Sequence, residues 1–193
     1  FASIVLNLEA AEASLASVAP AARRHLAQAR DTARDNPAEA RRMVWALRPE
    51  SLERGTLADA LKRLGGRWSE ESGVAASVAI TGAPRPLPTE VEVALLRAAQ
   101  EALSNIRKHA RAKTCRVTFA VAEPLLEVAI TDDGCGFDPE AATAHGEGYG
   151  LRSMRERAEA VGASLSVNSQ PGTGTTIVVS IPVEELEQDG RIK

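Results

Sequence analysis

The chain has 193 residues and a mass of 20.4 kDa, enough for one medium domain or one domain with a small attachment. Hydrophobic residues at 44% and charged residues at 25% exclude a disordered chain, and with three Phe, two Trp and one Tyr the core must be aliphatic. A net charge of −3 and a pI near 5.7 exclude a basic surface for nonspecific nucleic-acid binding. No apolar run approaches the ~20 residues of a bilayer span, and no basic-then-apolar segment opens the chain. Cys115 and Cys135 form neither a disulfide framework nor a CxxC pair, which fits a reducing compartment.

The first fifty residues are rich in Ala and Arg and lack Gly. Phe1, Ile4, Leu8, Ala11, Leu15 and Val18 recur at alternating spacings of 3 and 4, a coiled-coil seam. Pro20 opens a second helix. Its seam runs Ala22, Leu26, Ala29, Ala33, Asn36, Ala40, Met43, Leu47, with Asn36 able to fix register and Pro37 a point of kinking. The Arg48-Pro49 step ends it. Two such helices form an antiparallel hairpin over residues 1–50. Its remaining apolar face predicts either a four-helix bundle with a second copy or packing on its own domain.

Beyond residue 51 the texture becomes mixed. Thr56 with Asp59 reads as a capping box for a helix carrying Leu57, Leu61, Leu64 and Trp68, weakened by Gly65-Gly66 and ended by Gly73. Val74 to Ile80 alternates as a strand. Thr89 with Glu92 predicts the N-cap of a helix running to about Ala110. Strands follow over 115–121 and 126–130, with Pro124 in the turn between them. A Gly-rich stretch occupies 132–150 and a helix 151–161. A strand candidate holds Leu165 and Val167, and a closing strand holds Ile177, Val179 and Ile181. Helices on one face of a sheet make an α+β sandwich.

On a helical wheel of about 100° per residue, Glu101, Asn105, Lys108 and His109 fall within roughly 100° of arc, bordering an apolar stripe of Leu95, Ala99, Ala102, Leu103, Ile106 and Ala110. Amide oxygen suits Mg²⁺, cationic groups suit phosphate, and a carboxylate can orient water or accept a proton. The same four residues would also serve as an ordinary solvated face. Two glycine clusters weigh against that plain reading. Asp132-Asp133-Gly134-Cys135-Gly136 follows a strand, and Gly146-Glu147-Gly148-Tyr149-Gly150 leads into a helix whose first amides suit phosphate. Neither is a P-loop or a Rossmann fingerprint.

The order of these motifs is similar to that of histidine-kinase ATP-binding domains. Gln100 to Ala110 resembles their N box, Asp132 to Gly136 the D-x-G-x-G box, Gly148 to Leu151 the second glycine box, and Gly172-Thr173-Gly174-Thr175 the final G-x-G-T. The RKHA and GLRSMRERA runs, with Arg41 to Pro49, resemble the nitrate-sensor and DesK-like sensor kinases that work with NarL-type response regulators. The resemblance covers all but the polar tail.

It implies a dimerisation hairpin over 1–50, a Bergerat-type α/β sandwich with a mixed sheet over 51–185 as the ATP-binding domain, and a tail over 186–193. It implies Mg-ATP as ligand, Asn105 holding Mg²⁺, and Lys108 and His109 on the phosphates. Glu101 would be base or polarising group, and Asp132 would accept the adenine amino group beside Gly134 and Gly136. Gly148 and Gly150 would flank a short mobile lid, Leu151 would bind the nucleotide, and Thr175 would lie near the adenine pocket. It further implies a homodimer, a response-regulator receiver as partner, a cytoplasmic location, and a membrane only through upstream segments. One departure stands out: the family's H-[DE]-x-x-x-Q phosphoacceptor pattern is absent, since His25, His109 and His145 do not match it. Family spacing puts the acceptor just before Phe1. The expectation is therefore a fragment, cut after that residue, that cannot phosphorylate itself. A related ATPase or serine-kinase switch, and a dimerisation module with a decayed site, are the alternative readings.

Overall fold

The computed structural model describes residues 49–53, 55–83, 85–144 and 149–184. All belong to one compact unit, Arg48–Lys193. The expected hairpin, apart from Pro49 and Glu50, lies outside the described residues, as do Gly148 and the tail.

Helix α1 (Glu50–Glu53) leads to α2 (Leu57–Ser72). The expected capping box is formed: the Asp59 amide donates to Thr56 Oγ1 at 3.3 Å and the Thr56 amide to Asp59 Oδ2 at 3.1 Å. Gly65-Gly66 does not break α2. Gly65 is buried where the helix crosses the first strand, and a Cβ there would press on Val78. Strand β1 (Ala75–Gly82) is followed by α3 (Thr89–Asn105), and α3 by a wider π turn over Ile106–Ala110. Then come β2 (Thr114–Ala122), β3 (Leu125–Asp132), α4 (Pro139–Ala144), α5 (Tyr149–Glu159), β4 (Ser164–Ser169) and β5 (Thr175–Pro182).

The five strands form one mixed sheet in the order β1-β2-β3-β5-β4. β1 and β2 are parallel, so they need the crossover that α3 supplies; the other pairs are antiparallel. β5 is therefore interior rather than a closing edge. Its residues are nowhere fully exposed, whereas β4 alternates exposed and half-buried positions as an edge strand does.

The register lines up rows of side chains on the helix-facing side. One row runs Val78, Val117, Ile130, Ile177, Val167 and the next Ile80, Phe119, Val128, Val179, Leu165. These pack under α3, whose Leu95, Ala99, Ala102 and Leu103 are at most 1% exposed. The predicted stripe is thus the buried one. Val91, Val93, Leu96 and Ala98 are buried as well, because α2 and α5 also contact α3.

Local differences from the sequence reading bear on the site. α3 starts at Thr89 with Pro88 in the cap position and no side-chain cap, because the Glu92 amide already bonds the Pro88 carbonyl at 3.0 Å. Its last turn is a π turn, which displaces residues 108 and 109 from a wheel of constant pitch. The Trp68 indole donates to the Leu103 carbonyl at 3.1 Å, where the ladder widens. The Ala110 carbonyl accepts the Cys135 amide at 2.7 Å. In the Gly-rich stretch, Asp138 Oδ1 takes the amides of Glu140 and Ala141, and Pro139 occupies the first turn of the short helix α4. α5 starts two residues early, at Tyr149, so Gly150 lies within its first turn.

Candidate functional site

The apolar rows end in a polar one. The next row toward the C-terminal end of β3 reads Ala76, Cys115, Asp132, Thr175, Ser169 across all five strands. Asp132 and Ser169 are buried, at 6% and 8% exposure, at positions where the period of two calls for apolar side chains. Above this row lies a cavity of about 680 Å³. Its floor is Ile130, Asp132, Thr175 and Ile177. One wall is Ala102, Asn105, Ile106, His109 and Ala110; the other is Cys135, Gly136, Phe137, Ala142, Gly150 and Leu151.

The sheet end is held by the protein's own hydrogen bonds. Asp132 Oδ1 accepts the Gly134 amide at 2.8 Å. Burial raises the Asp132 carboxyl above the usual range, and the amides of Gly134 and Thr175 partly offset this. The adjacent carboxylate has a different task. Asp133 Oδ1 takes the amides of Lys113 and Thr114, each at 2.8 Å, and these bonds, Thr114's foremost, hold its carboxyl below the usual range. Asp132 thus faces the cavity while Asp133 ties β3 to the start of β2. Cys115, beside Asp132, is pushed up to about 12 by burial and by the two carboxylates, which makes it an inert thiol.

Two remote glycine turns interlock. The Gly172 amide donates to the Cys135 carbonyl at 2.6 Å, and the Phe137 amide to Ser169 Oγ at 2.9 Å. At Gly136 (φ 57°) a Cβ would overlap the Gln170 carbonyl, and at Gly174 (φ 82°) the Asp132 carbonyl. Only glycine lets these backbones meet.

Seven of the sequence-predicted residues line the cavity: Asn105, His109, Asp132, Gly136, Gly150, Leu151 and Thr175. Gly134 lies beneath it, against the end of the π turn, where a Cβ would overlap the Ala110 carbonyl. Glu101 stands at the rim, and its Oε1 would lie 2.8 Å from a Cβ on Gly150, so α5 reaches it only through a glycine. Lys108 is exposed and does not line the cavity. Sequence reasoning missed Phe137, Ala142, Ile130 and Ile177 on the lining, and Ser169 behind it. The last was detectable, since Ser169 continues the buried phase of Leu165 and Val167. Among the described residues no cluster of three or more His, Cys, Asp or Glu could hold a metal, and no helix is long and apolar enough to cross a membrane.

A mixed sheet under helices, with a carboxylate at the strand end, an Asn-bearing helix and interlocked glycine turns, defines a class of ATPase domain. The family described as histidine kinase-, DNA gyrase B- and HSP90-like ATPase matches residues 90–185, and a histidine kinase family matches residues 1–52. The chain belongs to the histidine kinases, in the group that pairs this N-terminal element with that ATPase domain.

Among curated relatives, it is 36% identical over 151 residues to the signal transduction histidine-protein kinase/phosphatase DegS of Brevibacillus brevis, covering 78% of this chain and 38% of that protein. It is 35% identical over 143 residues to the histidine-protein kinase/phosphatase UhpB of Salmonella typhimurium, covering 74% and 28%. The chain thus spans well under half of either relative. The histidine kinase domain of a blue-light activated kinase from Erythrobacter litoralis shares the fold, with a TM-score of 0.57 at 19% identity over 97% of this chain and 98% of that one.

Proposed function

We propose that the chain is the catalytic core of a two-component sensor kinase. It binds Mg-ATP in the cavity above the polar row and passes the γ-phosphoryl group to a histidine on a dimerisation helix, and from there to an aspartate of a NarL-type receiver. The observation that carries this reading is the buried, raised Asp132 carboxylate on the floor of a 680 Å³ cavity. Its Oδ1 accepts the Gly134 amide and the Thr175 amide also stabilises the carboxylate, whose remaining lone pairs can accept from an amino group.

The apolar floor and wall residues suit a purine ring, with Phe137 beside it. Asn105, half-buried at the rim, offers a neutral oxygen to a Mg²⁺ that arrives on phosphates and keeps most of its waters. When bound, that ion neutralises charge between the phosphoryl oxygens. His109 lines the same side and can meet phosphate. Lys108 is one residue away and reaches phosphate only by turning inward. Glu101, on α3 and facing Gly150 in the first turn of α5, would polarise an incoming imidazole. The segment over 1–50, expected from its sequence to be a helical hairpin, would supply the dimer, and a cytoplasmic location fits the ATP supply.

The test is phosphoryl transfer in a chain extended upstream to include a histidine in the first helix. Incubated with Mg-ATP labelled on the γ-phosphate, it should acquire an acid-labile label that moves to a purified NarL-type receiver. A chain that binds ATP but never becomes labelled contradicts the kinase reading.

A further inference from the structure

Ser169 lies behind the cavity and does not line it, yet its hydroxyl joins three segments. It accepts the Phe137 amide at 2.9 Å, contacts the Gly174 carbonyl at 3.1 Å and lies 3.0 Å from Thr175 Oγ1. At 8% exposure it is almost sealed from solvent. A serine hydroxyl carries one proton and two lone pairs. The Gly174 carbonyl can only accept, so the serine proton goes there. One lone pair is taken by the Phe137 amide. The three bonds then coexist in one way only: Thr175 donates its proton to the second lone pair.

Thr175 lines the cavity, so this wiring decides what it shows a ligand. With its proton directed at Ser169, Thr175 Oγ1 presents lone pairs alone. Beside it in the register stands Asp132, whose second oxygen is also an acceptor. The floor is therefore a pair of acceptors. It welcomes an exocyclic amine and opposes a keto oxygen.

We propose that Ser169 is a positioning residue that sets base preference by locking the Thr175 hydroxyl as an acceptor. This rests on the nucleotide reading above and deepens it. Without the serine hydroxyl, the threonine proton is free to turn into the cavity and donate to a keto group, so the penalty against such a base falls.

The experiment compares ATP with inosine triphosphate, which carries a keto oxygen in place of the amino group, by calorimetric titration of the whole chain with Mg²⁺. Ser169→Ala should narrow the ATP preference about tenfold, the scale of one hydrogen bond gained or lost. Thr175→Val, which removes the hydroxyl that Ser169 acts through, should narrow it similarly, and the double variant no further. Ser169→Thr keeps a hydroxyl and should restore most of the preference.

An Ser169→Ala variant that loses affinity for both nucleotides equally, with the ratio unchanged, marks a merely structural serine and overturns the proposal. So does a double variant whose ratio shifts by the product of the single effects. If the wild-type chain binds neither nucleotide, the nucleotide reading itself falls and this proposal with it.

Discussion

The two sides of the cavity are built differently. At the sheet end, Asp132, Ser169 and Thr175 sit in one register row, and the Gly136 and Gly174 turns are welded to each other's backbone. At the helix side, Asn105 and His109 project from the end of α3 and the π turn, and among the described residues their side chains make no hydrogen bond to protein. One side is organised before anything binds. On the proposed function, the other holds groups whose partners would come with the ligand. On that reading, preorganisation at the base end would provide selectivity, while side chains at the rim would follow phosphates and a metal as they move.

The strongest way to break this contrast is at the weld. Gly136→Ala puts a Cβ into the Gln170 carbonyl at a left-handed φ. It should cost about 3 kcal/mol of stability, read by denaturant unfolding. Unchanged unfolding would mean the two turns are not rigidly joined.

The helix side should respond in the opposite manner. Asn105→Ala should leave unfolding almost unchanged and weaken Mg-ADP binding about tenfold, while metal-free ADP binding stays the same. A fall in both, with or without Mg²⁺, would place Asn105 elsewhere in the mechanism.

The smallest effect separates the adjacent carboxylates. Asp133 has a lowered folded pKa, so its contribution is present above the unfolded value of about 3.9 and is lost as pH falls through the folded one. Asp133→Ala should lower the melting temperature slightly at pH 7, with the gap closing in acid. Asp132 has a raised folded pKa, so its contribution is present below the unfolded value and lost as pH rises through the folded one. Asp132→Asn should therefore leave the melting temperature at pH 7 equal or higher. Thermal melts between pH 3 and 7 check both directions.

Much of the base end was legible in the sequence. Leu126, Val128 and Ile130 set the buried phase of β3, and Asp132 falls on it, so a carboxylate facing the core could be read from alternation. Resemblance to the kinase boxes then gave it a partner. The rim was less legible. A wheel assumes constant pitch, and the π turn coincides with contacts from far away in sequence, Trp68 on Leu103 and Cys135 on Ala110. Lys108 was therefore grouped with Asn105 and His109 by a geometry the chain does not keep, and of the three it alone does not line the cavity. Gly65 read as a weak point because its reason, Val78 on another element, is invisible locally. Ser169 was not singled out beyond the strand candidate of Leu165 and Val167. Its hydrogen bond to Phe137, 32 residues away, forms only once the sheet has formed.

The central claim is that the cavity over the polar row binds an adenine nucleotide through Asp132. With Asp132 Oδ1 engaged by the Gly134 amide, Asp132→Asn replaces the other oxygen by an amino donor that would face the amino group of the base. Paired calorimetric titrations of the wild-type and Asp132→Asn chains with Mg-ADP, alongside their melting curves, test this most directly. The account predicts wild-type binding, a loss of about a hundredfold in the variant, and no fall in melting temperature at pH 7. Equal affinity in the two chains, or no binding by the wild type, would contradict it.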